Sequence, residues 1–296
     1  MTDASRLPDF IAVGPQRTGT TWLHYVMTPH LSLPVDIKET DFFLRNYSKG
    51  MKWYLSFFRS NPASIRGEID PNYFGEDLAQ ERIAKDIPGA KIVVSLRDPT
   101  ERAYSSYRVM RRDAWTSVGV EETVATNRII RESSRYAHHL AYWQRTFGAE
   151  GVLVCFYDDL EQSPQAYLDR ITDFIGADRI VVEGSPLESK RVNTVRQAPR
   201  RPRLAAKARD FRGMLSFRGM HGVVDLFDRL GVWKFFYGGG EEFGALDPQV
   251  DARLREHFRP EVEALEKLIG RDLSAWKTGR SAALAQPSAI QSRASA

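Results

Sequence analysis

Between Gly14 and Thr21 the chain reads Gly-Pro-Gln-Arg-Thr-Gly-Thr-Thr. Two glycines at this spacing, followed by hydroxyl residues, let a run of backbone N–H groups turn toward one point. Where such a loop joins a strand to a helix, the positive helix end adds to them, and the combination holds phosphate. The ATP- and GTP-binding loop has the same glycine spacing, with a lysine directly after the second glycine. Here Thr20 takes that place, Thr21 fills the hydroxyl position, and the cation sits inside the loop as Arg17. A cation there approaches the phosphate from another side. The loop is a phosphate cradle that does not suit a β/γ-phosphate with magnesium.

Two other groupings carry residue types that do chemistry. Arg97 is followed directly by Asp98-Pro99 and then, on the same expected helix, by Ser105. A guanidinium presents a rigid fork to an oxyanion, and a serine hydroxyl adds another donor. Alone, Arg97 reads first as a salt-bridge partner at a strand end; beside a phosphate loop and Ser105 it reads as half of a second anion site. The segment Lys38-Glu39-Thr40-Asp41-Phe42-Phe43 sets acids and a lysine against two aromatics. By residue type it is as much a surface loop anchored by its phenylalanines as a catalytic carboxylate. His138 and His139 are adjacent, so only one can face a given pocket; a helix surface is the plainer reading.

The elements that must position these groups follow from pattern. Phe10 to Val13 is a short buried strand, stopped by Gly14-Pro15, and Thr20 to about Met27 is an apolar helix ended by Pro29. Arg66 to Tyr73 reads as a short strand ended by Pro71. Lys91 to Leu96 is a β-branched strand, which puts Arg97 at its carboxyl end, where α/β sheets bind ligands. Asp98 caps the next helix and Pro99 takes its first position. Gly119 to Phe147 has long helical character, Gly151 to Tyr157 is a third clear strand, and Ser163-Pro164 opens another helix. Asp247-Pro248 caps a helix to Phe258, and Pro260 is expected to open a second one to Ile269. The alternation predicts an α/β fold: a single P-loop-like domain with a central parallel sheet flanked by helices, spanning residues 1–278, with an Ala/Ser-rich and disordered tail at 279–296.

Composition bounds the function. The one cysteine, Cys155, lies in an apolar run, so there is no disulfide framework. Residues 1–8 lack the cationic-then-apolar pattern of a secretion signal, and no apolar run approaches the ~18 residues of a membrane span. A cytoplasmic protein without a membrane span is expected. The net charge is +4, yet ten Lys and Arg lie within 190–218 against Asp210 alone, so the rest of the chain is net negative. Such a patch meets an anionic ligand or forms a solvated face. Its basic residues are not interleaved with aromatics, and nucleic acid is not the expected partner.

The segment Gln16 to Trp22 resembles the 5′-phosphosulfate loop of sulfotransferases that use 3′-phosphoadenylyl sulfate (PAPS), usually written [K/R]-x-G-T-T-x-L. Three further segments resemble the family in the same order. Lys38-Glu39-x-x-Phe42-Phe43, followed by Gly50-x-x-Trp53-Tyr54, is similar to the carbohydrate-type enzymes; Arg97 with Ser105 is similar to the 3′-phosphate motif; Phe156-Tyr157-Asp158-Asp159-Leu160 is similar to a segment of the cytosolic enzymes. The resemblance implies transfer of a sulfuryl group from PAPS to a hydroxyl of a small molecule or glycan, with 3′,5′-bisphosphoadenosine (PAP) as product and no metal. It implies Glu39 as general base and Arg17 as the cation on the leaving phosphate. Thr18, Gly19, Thr20 and Thr21 would hold the 5′-phosphate, and Arg97 and Ser105 the 3′-phosphate. Trp22 and Tyr157 would meet the adenine. A late basic loop closes over the 3′-phosphate in relatives; Lys190, Arg191, Arg196, Arg200 and Arg201 are candidates here, Arg191 and Arg196 foremost, although the usual lysine-glycine-arginine signature is missing. The chief alternative is an ATP-dependent phosphotransferase with Thr21 and Asp158 around magnesium.

Overall fold

The computed structural model describes residues 6–58, 65–188, 195–217, 223–224, 226–227, 230–237 and 239–279. Of the expected tail at 279–296, residues 280–296 lie outside them, as do Lys190 and Arg191.

Four parallel strands form the central sheet: β1 (Phe10–Ala12), β2 (Gly67–Ile69), β3 (Lys91–Leu96) and β4 (Val152–Phe156), in the order β2-β1-β3-β4. Phe10 pairs with Lys91 on one side and Gly67 on the other, and Ile92 pairs with Val152. Successive side chains of a strand point to opposite faces, and β1 uses both. Ile11 and Val13 enter a layer with Phe42, Phe43, Tyr54, Trp143 and Trp276, whereas Phe10 and Ala12 enter one with Trp22, Leu23, Tyr167 and Leu168. A parallel sheet covered on both faces is what near-continuous apolar strands require.

The crossovers are helical. In chain order they are α1 (Thr20–Met27), α2 (Met51–Leu55), α3 (Asp77–Asp86), α4 (Pro99–Arg112), α5 (Val120–Thr126), α6 (Arg128–Glu132), α7 (Tyr136–Phe147), α8 (Tyr157–Gln162) and α9 (Pro164–Ile175). Asp98 caps α4 through the N–H groups of Thr100 (2.8 Å) and Glu101 (3.4 Å). Its other oxygen receives Arg255 Nη1 at 2.7 Å, which ties the start of α4 to the long helix Pro248–Ile269.

Two expectations change. The helical stretch 119–147 is three helices: Asn127 turns extended after α5 and then accepts the Ile130 N–H (3.1 Å) to start α6, and Ser133 to Arg135 separate α6 from α7. Pro260 opens no new helix; it lies inside Pro248–Ile269. An internal proline forfeits one backbone hydrogen bond, which the buried stripe of Leu254, Phe258, Val262 and Leu265 offsets. Part of the basic stretch has regular structure among the described residues. Gln197–Pro199 pairs antiparallel with Gly239–Glu242, and Pro202–Phe217 is helical. No described helix is long and apolar enough to cross a membrane.

Candidate functional site

The loop after β1 is shaped by close contact with β3. A Cβ at Gly14 would lie 2.5 Å from the Ser95 carbonyl oxygen and 2.6 Å from its nitrogen, so only glycine lets the chain pass there. Ser95 then fastens the far side of the loop. Its hydroxyl donates to the Thr18 carbonyl (2.8 Å) and accepts from the Tyr167 hydroxyl (3.0 Å). Thr18 closes the turn internally by donating to the Pro15 carbonyl (2.7 Å). Gly19, at φ 90°, is the residue before α1, and a Cβ on it would meet Leu160 and Tyr157. Arg17 has φ 74°, a region that non-glycine residues rarely occupy and that clusters at ligand-binding loops.

Three elements converge on this loop. Arg17 Nε donates to Ser105 Oγ on α4 at 2.9 Å. Arg97, at the end of β3, pairs with Glu101 (3.0 and 3.3 Å) and lies over the Tyr157 ring, 4.4 Å from its centroid. Tyr136 on α7 donates to the Arg97 carbonyl (2.9 Å) and fixes that corner. The result is a concentration of guanidinium groups: burial, then Arg97, Arg112 and Arg108, pull the Arg17 pKa down to about 10. Partly desolvated like charges disfavour one another until an anion arrives. The residues fit a ligand that carries more than one phosphate-like charge.

The region that adjoins the loop through the Gln16–Asn72 side-chain hydrogen bond (2.8 Å) is acidic. Lys38 Nζ donates to Glu39 Oε1 at 2.6 Å, both side chains about a third exposed. The loop that carries them is pinned to the end of β2. Glu68, fully buried, accepts from the Thr40 N–H (3.1 Å), the Thr40 hydroxyl and the Tyr54 hydroxyl (2.9 Å). Burial pushes Glu68 up to about 7 against the pull of these hydrogen bonds. Asp70, also fully buried, accepts from the Asp41 N–H (2.9 Å) and the Asn72 N–H (3.0 Å). Burial first, then Glu68 and Glu39, raise its pKa well above the usual carboxylate range. Asp70 is therefore a cap and a brace for the Lys38–Phe43 loop.

Arg17, Thr18, Gly19, Thr20, Thr21, Arg97, Ser105 and Tyr157 thus come together around one loop. Trp22 departs from expectation. It is 5% exposed, packs edge-on to Tyr167 (6.2 Å) and donates its indole N–H to the Leu187 carbonyl (2.8 Å). A ring so covered offers a purine little surface; the apolar periodicity of α1 carried Trp22 into the core. Arg196 is exposed just before the Gln197–Pro199 strand, which packs against α4, and Arg191 lies outside the described residues. Asp158 accepts the Trp276 indole N–H at 2.7 Å, so the proposed magnesium acid is engaged by the C-terminal helix instead. His139 is buried against Phe74 and beside Asp77, with its pKa lowered to about 4, chiefly by burial. Among the described residues, the grouping with metal-ligand spacing is Asp77, His138 and His139, none of them in the loop.

The sequence reading passed over His24. It sits one turn into α1 after Thr21, and its buried Nε2 has no hydrogen-bond partner. Burial and Lys38 lower its pKa while Glu39 opposes them, which places it beside the Lys38–Glu39 pair. A lone histidine on an amphipathic helix gave no signal, because its neighbours arrive from a loop.

Residues 7–212 match the family pattern described as "Sulfotransferase domain". The chain is 31% identical over 195 residues to the bifunctional heparan sulfate N-deacetylase/N-sulfotransferase 4 of Mus musculus, a match covering 57% of this chain and 22% of that protein. It is likewise 31% identical over 196 residues to enzyme 3 of that name from Homo sapiens, covering 58% and 22%. The chain therefore spans about a fifth of the length of these relatives. The crystal structure of a sulfotransferase from Alicyclobacillus acidocaldarius superposes with a TM-score of 0.64 at 21% identity, covering 92% of this chain and 99% of that one, a likeness of fold. With the family pattern covering well over half of its residues, the chain belongs to the sulfotransferase family.

Proposed function

We propose that this chain transfers a sulfuryl group from PAPS to a hydroxyl or amino group of a carbohydrate or small molecule. The observation that carries the reading is Arg17. It is held in a left-handed backbone conformation, bonded to Ser105 and crowded by other arginines, at the point where a loop presents its N–H groups. Such an arrangement is costly for a bare protein and favourable for a nucleotide with phosphates on both sides of its ribose.

In this reading the loop residues Thr18 to Thr21 hold the 5′-phosphate, and Ser105 and Arg97 face the 3′-phosphate. PAPS supplies the sulfuryl group and an anionic leaving group. Arg17 neutralises the charge that grows on the departing phosphate oxygen as the sulfur–oxygen bond breaks. Glu39 takes the proton of the acceptor as the new bond to sulfur forms, and Lys38 holds that carboxylate in place. The N-sulfotransferase activity on heparan sulfate for which the mammalian relatives are named supports a glycan acceptor. Glu39 and Asp41, carried on one loop, make an environment suited to an amine. A phosphotransferase is the lesser reading, since Asp158 is occupied by Trp276.

The test is a thermal-shift measurement with PAP, followed by mass spectrometry of saccharide acceptors incubated with PAPS. A raised Tm with PAP and a gain of one SO₃ on an acceptor are expected. No shift with PAP, or a shift with ATP that requires magnesium, would overturn the proposal.

A further inference from the structure

We propose that Arg108 is a third nucleotide-gripping cation, aimed at the 3′-phosphate from inside the fold. The inference rests on the PAPS reading and deepens it.

Residues three and four apart on a helix share a face. On α4 that places Glu101, Ser105, Arg108 and Arg112 in one stripe. The stripe looks at the loop, because Ser105 accepts from Arg17 and Glu101 pairs with Arg97. Arg108 stands one turn beyond Ser105. Its guanidinium lies over the Tyr104 ring, 5.3 Å from the centroid. Its Nε is buried and has no hydrogen-bond partner.

The neighbouring cations differ. Arg97 has Glu101, Arg112 has Asp113 in a two-point pair (2.6 and 3.0 Å), and Arg17 has Ser105. Arg111 also has a buried Nε without a partner, but its position falls off the stripe. Arg108 is thus the stripe's cation with an open donor and no carboxylate ion pair among the described residues. Burial and the charge of Arg97 both disfavour its charged form, and an incoming phosphate oxygen relieves both at once. Arg196, the foremost described candidate of the basic loop, is exposed beside the two-stranded sheet. The strand that follows Arg196 packs against α4, so the fixed helix offers an anion donor of its own beside the basic segment.

The experiment compares PAP with adenosine 5′-monophosphate by calorimetry at fixed salt, for the intact chain, Arg108→Gln and Arg108→Lys. Loss of a charge-assisted bond to phosphate weakens PAP by about tenfold or more in Arg108→Gln, while the monophosphate changes by less than about twofold. Arg108→Lys keeps the charge and recovers part of the loss. The melting temperature of unliganded Arg108→Gln, unchanged or raised by removal of a crowded charge, reports an intact fold. Equal losses for both nucleotides, or none for either, overturn the assignment. If the intact chain itself shows no preference for PAP over the monophosphate, the nucleotide reading fails; if it prefers PAP and Arg108→Gln keeps the full preference, only the role of Arg108 falls.

Discussion

The arginine-rich loop and the acidic region beside it are charged oppositely, and they are satisfied to different degrees. On the acceptor side the buried acids already have their partners: Glu68 takes the Thr40 and Tyr54 donors, and Asp70 takes the Asp41 and Asn72 amides. On the donor side Arg17 is crowded by Arg97, Arg108 and Arg112, and one of these has an open donor. A self-satisfied region sets geometry without a ligand, whereas a crowded one stores affinity for the anion that relieves it. The difference suggests a division of labour, with binding free energy drawn from the arginines and acceptor chemistry placed on a rigid acidic frame.

The sharpest way to break that division is Glu39→Gln. If Glu39 acts on the acceptor proton alone, turnover falls by about 10²–10⁴, the usual worth of a positioned general base, while PAP affinity stays within about twofold. Single-turnover rates and calorimetry on one preparation decide it. A large loss of PAP affinity would show the two sides to be energetically joined, and retained turnover would transfer the role of base to His24, whose open Nε2 lies beside the Lys38–Glu39 pair.

The acidic frame has its own signature in pH. The pKa of Glu68 in the fold, about 7, stands above its usual 4.5. The folded chain then keeps a proton that the unfolded chain has lost, so stability is greatest below about 4.5 and declines as pH rises toward 7. The upper bound for one group so placed is about 3 kcal/mol. Glu68→Gln, which cannot titrate, flattens that part of the curve; its absolute stability falls through the poorer fit of an amide to Thr40 and Tyr54. Urea unfolding across this window checks the slope. An unaltered slope in Glu68→Gln would assign the dependence to Asp70 instead.

The donor side was largely legible in the sequence, and the acceptor side much less so. Gly14, Gly19, Thr18 and Arg17 act through a continuous loop between one strand and one helix, so spacing alone brings them to a point. Asp98-Pro99 fixes where α4 begins, and from there helical periodicity places Ser105. Glu68 and Asp70 act on a loop some thirty residues earlier in the chain, and nothing local distinguishes a carboxylate that pins Thr40 and Asp41 from one that merely ends a strand. At Trp22 the motif and the packing point different ways. A motif position suggested a ligand contact, but its neighbours Leu23, Val26 and Met27 turn that face of α1 into the core. The break between α5 and α6 hinges on the single cap Asn127, a signal too small to outweigh the helical residues around it.

The finest test separates the paired arginine from the open one. Arg97 spends part of its charge on Glu101 and part of its surface on Tyr157, and its side chain is 18% exposed. Removing it frees Glu101 as well as deleting a donor, and it also lifts one of the charges that crowd Arg17. These effects oppose each other on the bound phosphate: the lost donor and the freed acid weaken it, while Arg17 regains part of its pull. Arg97→Ala is therefore expected to weaken PAP by about threefold to tenfold, at the lower end of charge-assisted bonds, with the monophosphate almost unaffected. Arg97→Ala combined with Glu101→Ala restores part of the loss, because the stranded carboxylate is gone. Calorimetry on the single and double variants reads this directly. A loss larger in Arg97→Ala than in Arg108→Gln would mean that pairing with Glu101 leaves Arg97 as free to grip phosphate as an unpaired arginine, and the distinction drawn within the donor side would not hold.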